Sequence, residues 1–174
     1  MDLAEHPGRL LVVMRHAKAE QMGPTDFDRA LAARGHADAQ EAGSWLSGHG
    51  FSPDRALVSA ALRTRETWAA VADGGGWDLD ADLDRGLYSA EPDTAIDLVQ
   101  QVDDEVRRLV LIGHNPTMAY LAQLLGDGTA AADLERELMS GFPTSALAVF
   151  AQEQPWAELT EGSARLIAFH VGRA

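Results

Sequence analysis

Leu10-Leu11-Val12-Val13-Met14-Arg15-His16-Ala17 is the stretch that decides how this chain folds. Its five consecutive apolar residues are typical of a strand buried on both faces, and a basic pair follows where that strand ends. The pattern recurs at 109–113, which His114-Asn115-Pro116 follows. In an open α/β sheet, ligands bind outside the carboxyl ends of the strands. We therefore expect both histidines at one rim of one sheet, where Arg15 indicates a site for an anion.

Helical and extended patterns alternate along the rest of the chain. Helical periodicity marks 29–49, 64–72, 92–102 and 116–125, and apolar runs typical of strands mark 55–58, 77–83, 146–151 and 165–169. This alternation predicts a three-layer α/β/α sandwich with a mostly parallel sheet, in which the closely spaced last strands allow one antiparallel member. A single domain over residues 1–174 accounts for the length.

The composition disfavours several classes of function. A net charge of -13 argues against binding to nucleic acid or to anionic membranes, because both need a basic face. No apolar run approaches the roughly 20 residues that span a bilayer. The absence of cysteine excludes disulfides, thiolate metal sites and a cysteine nucleophile, and it fits a reducing compartment. The N-terminus lacks the basic start and long apolar stretch of a signal peptide, so we expect a cytoplasmic protein.

A third segment, 59–64, places Arg63 after a predicted strand. Arg15 and Arg63 are suited to clamp a phosphoryl group, because a guanidinium stays charged and presents a planar fork of donors. A neutral imidazole can attack phosphorus, and nearby arginines oppose its protonation, so we predict His16 as the nucleophile. His114 is expected to donate hydrogen bonds to the phosphoryl oxygens, helped by the first amides of the following helix.

Three further side chains are candidates near this rim. Lys18 is a candidate for attracting an acidic substrate protein, with an ordinary solvated lysine as the alternative. Asn115 is a candidate for contacting the substrate and for capping the helix that begins at Pro116. Glu66 is equally plausible as a hydrogen-bond partner of a pocket arginine and as a surface carboxylate. The acidic stretch 78–84 lacks the spacing of a calcium loop, so no metal site is predicted.

Together these motifs resemble the histidine phosphatase superfamily, which has the phosphoglycerate mutase-like fold. The resemblance rests on Arg15-His16-Ala17, on the Ser-x-x-x-Arg-Thr-x-Glu-Thr run at 59–67 and on Gly113-His114-Asn115-Pro116. Each motif is weak alone, but three in this order, each after a strand, form a strong signal. Arg15-His16-Ala17-Lys18, the Asp-Arg-x-Leu-x-x-x-Gly stretch at 28–35 and Leu87-Tyr88 are most similar to the small SixA-type phosphohistidine phosphatases.

This resemblance implies a role for four residues. His16 corresponds to the phosphorylated nucleophile, and Arg15, Arg63 and His114 correspond to the phosphate pocket, with no metal and no other cofactor. Larger members of the superfamily insert a lid between the second arginine and the later histidine, whereas here only residues 64–113 separate them. We therefore expect a shallow, open site without a large lid, suited to a phosphate on another protein's surface.

The leaving group separates the possible substrates. Mutases and many phosphomonoesterases of this superfamily use a carboxylic acid from the inserted region to protonate an alkoxide. Asp84 and Glu91 are the nearby candidates here, and each is more simply a surface carboxylate. Phosphohistidine in a protein needs less help, because imidazole has a reference pKa of about 6.5. A phosphatase of a small phosphorylated metabolite or nucleotide, and a non-catalytic phosphate-binding adaptor, remain the alternatives.

Overall fold

The chain folds around one six-stranded sheet, and the computed structural model describes all residues from Met1 to Ala174. The strands are β1 (Arg9–Arg15), β2 (Arg55–Ser59), β3 (Asp82–Asp84), β4 (Arg108–Gly113), β5 (Ala146–Gln152) and β6 (Arg165–Val171). The helices are α1 (Ala33–Gly48), α2 (Leu62–Gly75), α3 (Pro92–Gln100), α4 (Thr117–Leu125) and α5 (Ala132–Ser140). Short 3-10 turns lie at Gly86–Ser89 and Trp156–Glu158.

The order of the strands places β1 inside the sheet, between β4 and β5. The full order is β3-β2-β4-β1-β5-β6. β1, β2, β3 and β4 pair in parallel, and β5 runs antiparallel to both β1 and β6. This confirms a mostly parallel sheet with one antiparallel strand. Arg15 at the end of β1 lies opposite Gly113 at the end of β4, so the chain leaves both strands at the same rim.

Helices cover both faces of the sheet. In β1, Leu10, Val12 and Met14 belong to the apolar cluster formed with α1 and α2, whereas Leu11 and Val13 belong to the cluster formed with α3, α4 and α5. All five side chains are fully buried, which explains the continuous apolar run in the sequence. The predicted three-layer α/β/α arrangement is confirmed. None of the helices is long and apolar enough to cross a bilayer.

α2 is longer than the helix predicted at 64–72. It begins at Leu62 and continues to Gly75, and Gly76, with φ 72°, forms its left-handed C-cap. A Cβ at Gly74 would lie 1.9 Å from the Gln40 carbonyl oxygen of α1. Because only a glycine permits this approach, Gly74 allows the close packing of α1 against α2.

Other element boundaries also differ from the sequence prediction. α1 begins at Ala33 rather than at position 29, since the chain from the end of β1 to Ala32 is an irregular connection. The strand predicted at 77–83 is shortened to β3, and Trp77 packs against Trp68 instead. α5 was not predicted, because its nine residues contain no apolar run and only Leu138 among them is buried.

Candidate active site

Arg15, His16, Arg63 and His114 converge at the rim where β1, β2 and β4 end. The backbone N–H of His16 donates to the Gly113 carbonyl at 3.0 Å, which extends the β1–β4 pairing past the strand. The rings of His16 and His114 lie 5.4 Å apart, centre to centre. Together with neighbouring residues these side chains line a cavity of about 310 Å³, which Lys18, Arg29 and Asn115 also line. Its floor is buried, since His16 and Arg63 are only 8% and 6% exposed.

The hydrogen bonds of His16 determine which ring nitrogen is free. Nδ1 lies 2.8 Å from the Ala17 carbonyl oxygen, which can only accept, so Nδ1 carries the proton and Nε2 the lone pair. Burial is the main cause that lowers the pKa of His16 to about 4, with smaller contributions from Arg63 and Arg15. The arginines, which the sequence suggests as the cause, therefore contribute less than burial. The ring is therefore neutral near pH 7, with Nε2 available as a nucleophile.

His114 is bonded through the opposite nitrogen. Its Nε2 lies 2.8 Å from Ser59 Oγ, which also accepts the Ala61 backbone N–H at 3.4 Å. Ser59 is fully buried and its hydroxyl has no other acceptor, so its one proton is donated to Nε2 and the ring proton of His114 resides on Nδ1. Nδ1 is buried and has no hydrogen-bond partner. Burial lowers the pKa of His114 to about 3, with His16 and Arg63 adding to the shift, so this ring is a neutral donor.

The two arginines are held by backbone oxygens on their outer sides. Arg63 donates from Nη1 to the Asp26 carbonyl at 2.7 Å, and Arg15 donates from Nη1 to the Phe142 carbonyl at 3.3 Å. The Nε atoms of both are buried without a partner. Together with His114 Nδ1, three unsatisfied buried N–H groups thus belong to residues that line one cavity. Two permanently charged guanidiniums and a neutral imidazole donor beside one cavity suit the binding of an anion with several oxygens.

Asn115 and Glu66 support the site from outside the cavity floor. The Asn115 amide donates to the Phe142 carbonyl at 2.8 Å and accepts the Ala119 N–H at 3.2 Å, so it braces the start of α4. Glu66 accepts the Leu31 N–H at 3.0 Å, which anchors the β1–α1 connection and matches neither of its expected roles. Lys18, whose side chain is exposed, lines the cavity.

Asp26 and Tyr88 are site residues that sequence reasoning missed. Asp26 accepts hydrogen bonds from Arg63 Nη2 at 3.2 Å, from Arg29 Nε at 3.0 Å and from the Tyr88 hydroxyl. These donors, Tyr88 first, lower the pKa of Asp26 to about 2. The Tyr88 ring also packs edge-on against the ring of His114 at 5.5 Å. The Leu87-Tyr88 pair was a signal for Tyr88, but nothing in the sequence distinguished Asp26 from other surface acids.

The spacing of the 59–67 motif has a structural explanation. Its serine holds His114, its arginine lines the cavity, and Thr67 Oγ1 accepts the Ala17 N–H at 3.0 Å beside His16. The two carboxylates weighed as acids lie elsewhere. Asp84 accepts the Leu87 N–H at 3.2 Å and Glu91 is exposed just before α3, and neither lines the cavity.

No group of three or more His, Cys, Asp or Glu side chains is placed to hold a metal ion.

Comparison with known proteins identifies the family. The sequence model of the histidine phosphatase superfamily, branch 1, matches residues 11–91. A candidate phosphohistidine phosphatase SixA of known structure from Nakamurella multipartitia is 30% identical, with a TM-score of 0.85 over 97% of this chain and 99% of that one. The chain belongs to the histidine phosphatase superfamily. It is a phosphatase with the phosphoglycerate mutase-like fold, as the sequence motifs predicted.

Two further similarities cover nearly the whole histidine phosphatase chain. A candidate SixA from Agrobacterium tumefaciens is 33% identical, with a TM-score of 0.75 over 95% of this chain and 99% of that structure. An uncharacterised protein of Mycobacterium tuberculosis is 42% identical over 163 residues, which is 92% of this chain and all of that protein. The SixA-type likeness therefore extends beyond the motifs into both late strands.

Proposed function

We propose that this histidine phosphatase removes phosphate from phosphohistidine in a protein, through a phosphorylated His16 and without a metal ion. The observation that carries the proposal is the convergence of Arg15, Arg63 and His114 on the cavity that His16 also lines. In this mechanism Arg15, Arg63 and His114 bind the phosphoryl oxygens and stabilise the charge that develops on them. His16 is left to react through Nε2.

In the first step, His16 Nε2 attacks phosphorus and forms a new N–P bond, while the bond to the substrate's ring nitrogen breaks. The electron pair of that bond leaves with the substrate ring. His16 then carries the phosphoryl group on Nε2 and still has its proton on Nδ1. The hydrogen bond from Nδ1 to the Ala17 carbonyl, 2.8 Å in the free enzyme, stabilises the positive charge on the phosphorylated ring.

In the second step, water attacks phosphorus and the N–P bond to His16 breaks. Because Nδ1 keeps its proton, His16 leaves as a neutral imidazole and needs no proton from an acid. Arg15, Arg63 and His114 hold the phosphoryl group in both steps, so one pocket serves both displacements. The enzyme returns to its starting tautomer.

We propose phosphohistidine as the substrate because no carboxyl group at the site is suited to protonate the leaving group. The carboxylate that contacts the pocket arginine Arg63 belongs to Asp26, whose pKa of about 2 makes it a poor proton donor. Asp84 and Glu91 do not line the cavity. An alkoxide leaving group needs a proton at the moment of departure, whereas imidazole is a much weaker base. The site therefore favours a phosphoramidate over a phosphate ester.

A phosphatase of a small phosphorylated metabolite or nucleotide is the second candidate. Its supporting observation is the presence of Lys18 and Arg29 in the cavity wall, since these cations suit a second anionic group on a small molecule. A non-catalytic adaptor is less well supported, because a binding protein has no use for the neutral, buried nucleophile that His16 provides.

The decisive experiment compares phosphate release by wild type, His16→Ala and His6→Ala, the last a histidine outside the cavity. The substrates are a phosphohistidine-bearing protein and a panel of phosphate monoesters, with EDTA throughout. We expect turnover of phosphohistidine that survives EDTA, is retained by His6→Ala and is lost in His16→Ala. Preferential hydrolysis of a monoester would favour the second candidate, and loss of activity in EDTA would contradict metal independence.

Two further proposals concern the setting of this activity. We propose that residues 1–174 act as one histidine phosphatase domain, which the single continuous sheet supports. The cytoplasm remains the proposed location, because a chain without cysteine is suited to a reducing compartment. Cell fractionation with an antibody to the protein tests the location directly.

A further inference from the structure

Asp26 places an ionised carboxylate on Arg63, one of the residues that line the cavity. Its side chain is 55% exposed, and the buried guanidinium of Arg63 lies 3.2 Å below it. The charged and titratable groups that face it are Arg29 from its own connection, Arg63 from α2, Tyr88 from the 3-10 turn and, further away, the ring of His114. For an ester substrate this carboxylate is unfavourable, since an anion repels a departing alkoxide and has no proton to give it.

The geometry of displacement directs the leaving group out of the cavity. His16 forms part of the buried floor, being 8% exposed. In an in-line displacement the leaving atom lies on the far side of phosphorus from the attacking atom. The leaving group is therefore directed away from His16 and towards solvent. Asp26 is the exposed carboxylate that bonds both Arg63 of the cavity wall and Tyr88, whose ring packs against His114.

The first displacement exchanges a phosphoryl group between two imidazole rings. A phosphorylated ring with a proton on its second nitrogen leaves as neutral imidazole, and the electron pair of the N–P bond stays on the freed nitrogen. Without that proton the ring would have to leave as an anion, which is a far poorer leaving group. His16 keeps its own second nitrogen protonated through the Ala17 carbonyl. The substrate ring needs an equivalent acceptor.

We propose that Asp26 is that acceptor, binding the N–H of the second ring nitrogen of the substrate's phosphohistidine so that the ring leaves as neutral imidazole. This inference rests on the proposed function and assigns the recognition of the leaving ring to one residue. The carboxylate has capacity for it, because two oxygens offer about four acceptor positions and Arg29, Arg63 and Tyr88 occupy three. Its negative charge stabilises the protonated ring.

The test compares Asp26→Asn with Asp28→Asn, which removes the same charge from the same connection. The two substrates are a histidine peptide phosphorylated with phosphoramidate and p-nitrophenyl phosphate, whose phenolate leaves without a proton. For Asp26→Asn we expect kcat/KM on the phosphopeptide to fall about tenfold, the size of one charge-assisted hydrogen bond. Activity on p-nitrophenyl phosphate should fall by less, because its phenolate leaves without a protonated ring for Asp26 to bind. Asp28→Asn should match wild type on both.

The pH profile gives a second readout that a purely structural role would not change. With Asp26 present, the bound substrate ring keeps its proton to higher pH, so the alkaline fall of kcat on the phosphopeptide should move to lower pH in Asp26→Asn. Tyr88→Phe removes one donor to the carboxylate without removing its charge. That variant should keep the phosphopeptide preference of wild type.

Three results would contradict the proposal in distinguishable ways. Equal losses on both substrates would show that Asp26 only positions Arg63. Full activity of Asp26→Asn on both substrates, with wild type active on the phosphopeptide, would overturn the role of Asp26 and leave the proposed function intact. Hydrolysis of p-nitrophenyl phosphate alone by wild type would overturn the proposed function and this inference with it.

Discussion

His16 and His114 occupy equivalent places in the fold and are prepared for opposite tasks. Each follows a central strand at the same rim, each is largely buried, and their rings lie 5.4 Å apart. They differ in the nitrogen that the protein engages, which is Nδ1 at the Ala17 carbonyl for His16 and Nε2 at the Ser59 hydroxyl for His114. One ring therefore offers a lone pair and the other offers an N–H.

This difference teaches that the partner of the second nitrogen decides what an active-site histidine can do. Burial lowers the pKa of both rings, to about 4 for His16 and about 3 for His114, so neither acts as a cation near pH 7. The positive charge of the pocket comes from Arg15 and Arg63 instead. The Ala17 carbonyl can only accept and so leaves Nε2 of His16 as an acceptor, whereas the Ser59 hydroxyl donates its one proton to Nε2 of His114 and so leaves Nδ1 as a donor.

The largest effect is expected from replacing His16, the ring that offers a lone pair. His16→Ala should lower turnover of the phosphohistidine substrate by at least about 10³-fold, because the covalent step has no other nucleophile. It should also abolish the acid-labile phosphate that wild type acquires during turnover of a ³²P-labelled substrate. Retention of that label in His16→Ala would show that another residue is the nucleophile, and the roles assigned to His16 and His114 would be wrong.

Replacing His114, the ring that offers an N–H, should have a smaller effect, because it slows the phosphorylation of His16 without abolishing it. His114→Ala should lower turnover by about 10²-fold, the usual cost of one hydrogen-bond donor aimed at a transition-state oxyanion. The phosphorylated His16 should still form, only more slowly, and rapid-quench measurement of the label separates the two cases. If His114→Ala also abolished the label at long times, the two histidines would not have distinct tasks.

Because burial lowers the pKa of His16, the stability of the folded protein should depend on pH. As pH falls, the unfolded chain protonates His16 near the reference value of 6.5, whereas the folded protein does so only near about 4. Stability should therefore be lost between these values, by about 2 kcal/mol at pH 5 from His16 alone. Urea unfolding at pH 7 and pH 5 should show a smaller loss for His16→Asn than for wild type. A loss as large as that of wild type would argue against the low pKa.

The convergence of the four basic residues was predictable from the sequence for a simple reason. Apolar runs identify β1, β2 and β4, and the carboxyl ends of parallel strands meet at one rim. Arg15 ends β1, His16 and His114 directly follow β1 and β4, and Arg63 lies in the first turn of α2. Their positions therefore depend on backbone topology, which periodicity and strand order reveal.

The contacts that give these residues their properties were not predictable. Asp26 lies on an irregular connection, and its partners Arg63 and Tyr88 are distant in sequence, so no periodic pattern links them. The tautomers depend on single oxygen atoms of Ala17 and Ser59 that only the folded chain places. Burial, which dominates the pKa shifts of both rings, is likewise a property of the whole fold.

The smallest expected effect sharpens the comparison most, because it changes a tautomer without removing a ring. Ser59→Ala leaves His114 Nε2 without its donor, so the ring proton can move to Nε2 and Nδ1 loses its preference for donating. We expect kcat to fall about tenfold, less than in His114→Ala, since part of the population keeps the correct tautomer. Ser59→Thr, which keeps a hydroxyl, should retain most activity.

¹⁵N NMR of the imidazole nitrogens should show the proton of His114 on Nδ1 in wild type and shared between both nitrogens in Ser59→Ala. If Ser59→Ala shows an unaltered tautomer, some other contact must determine which nitrogen of His114 is protonated.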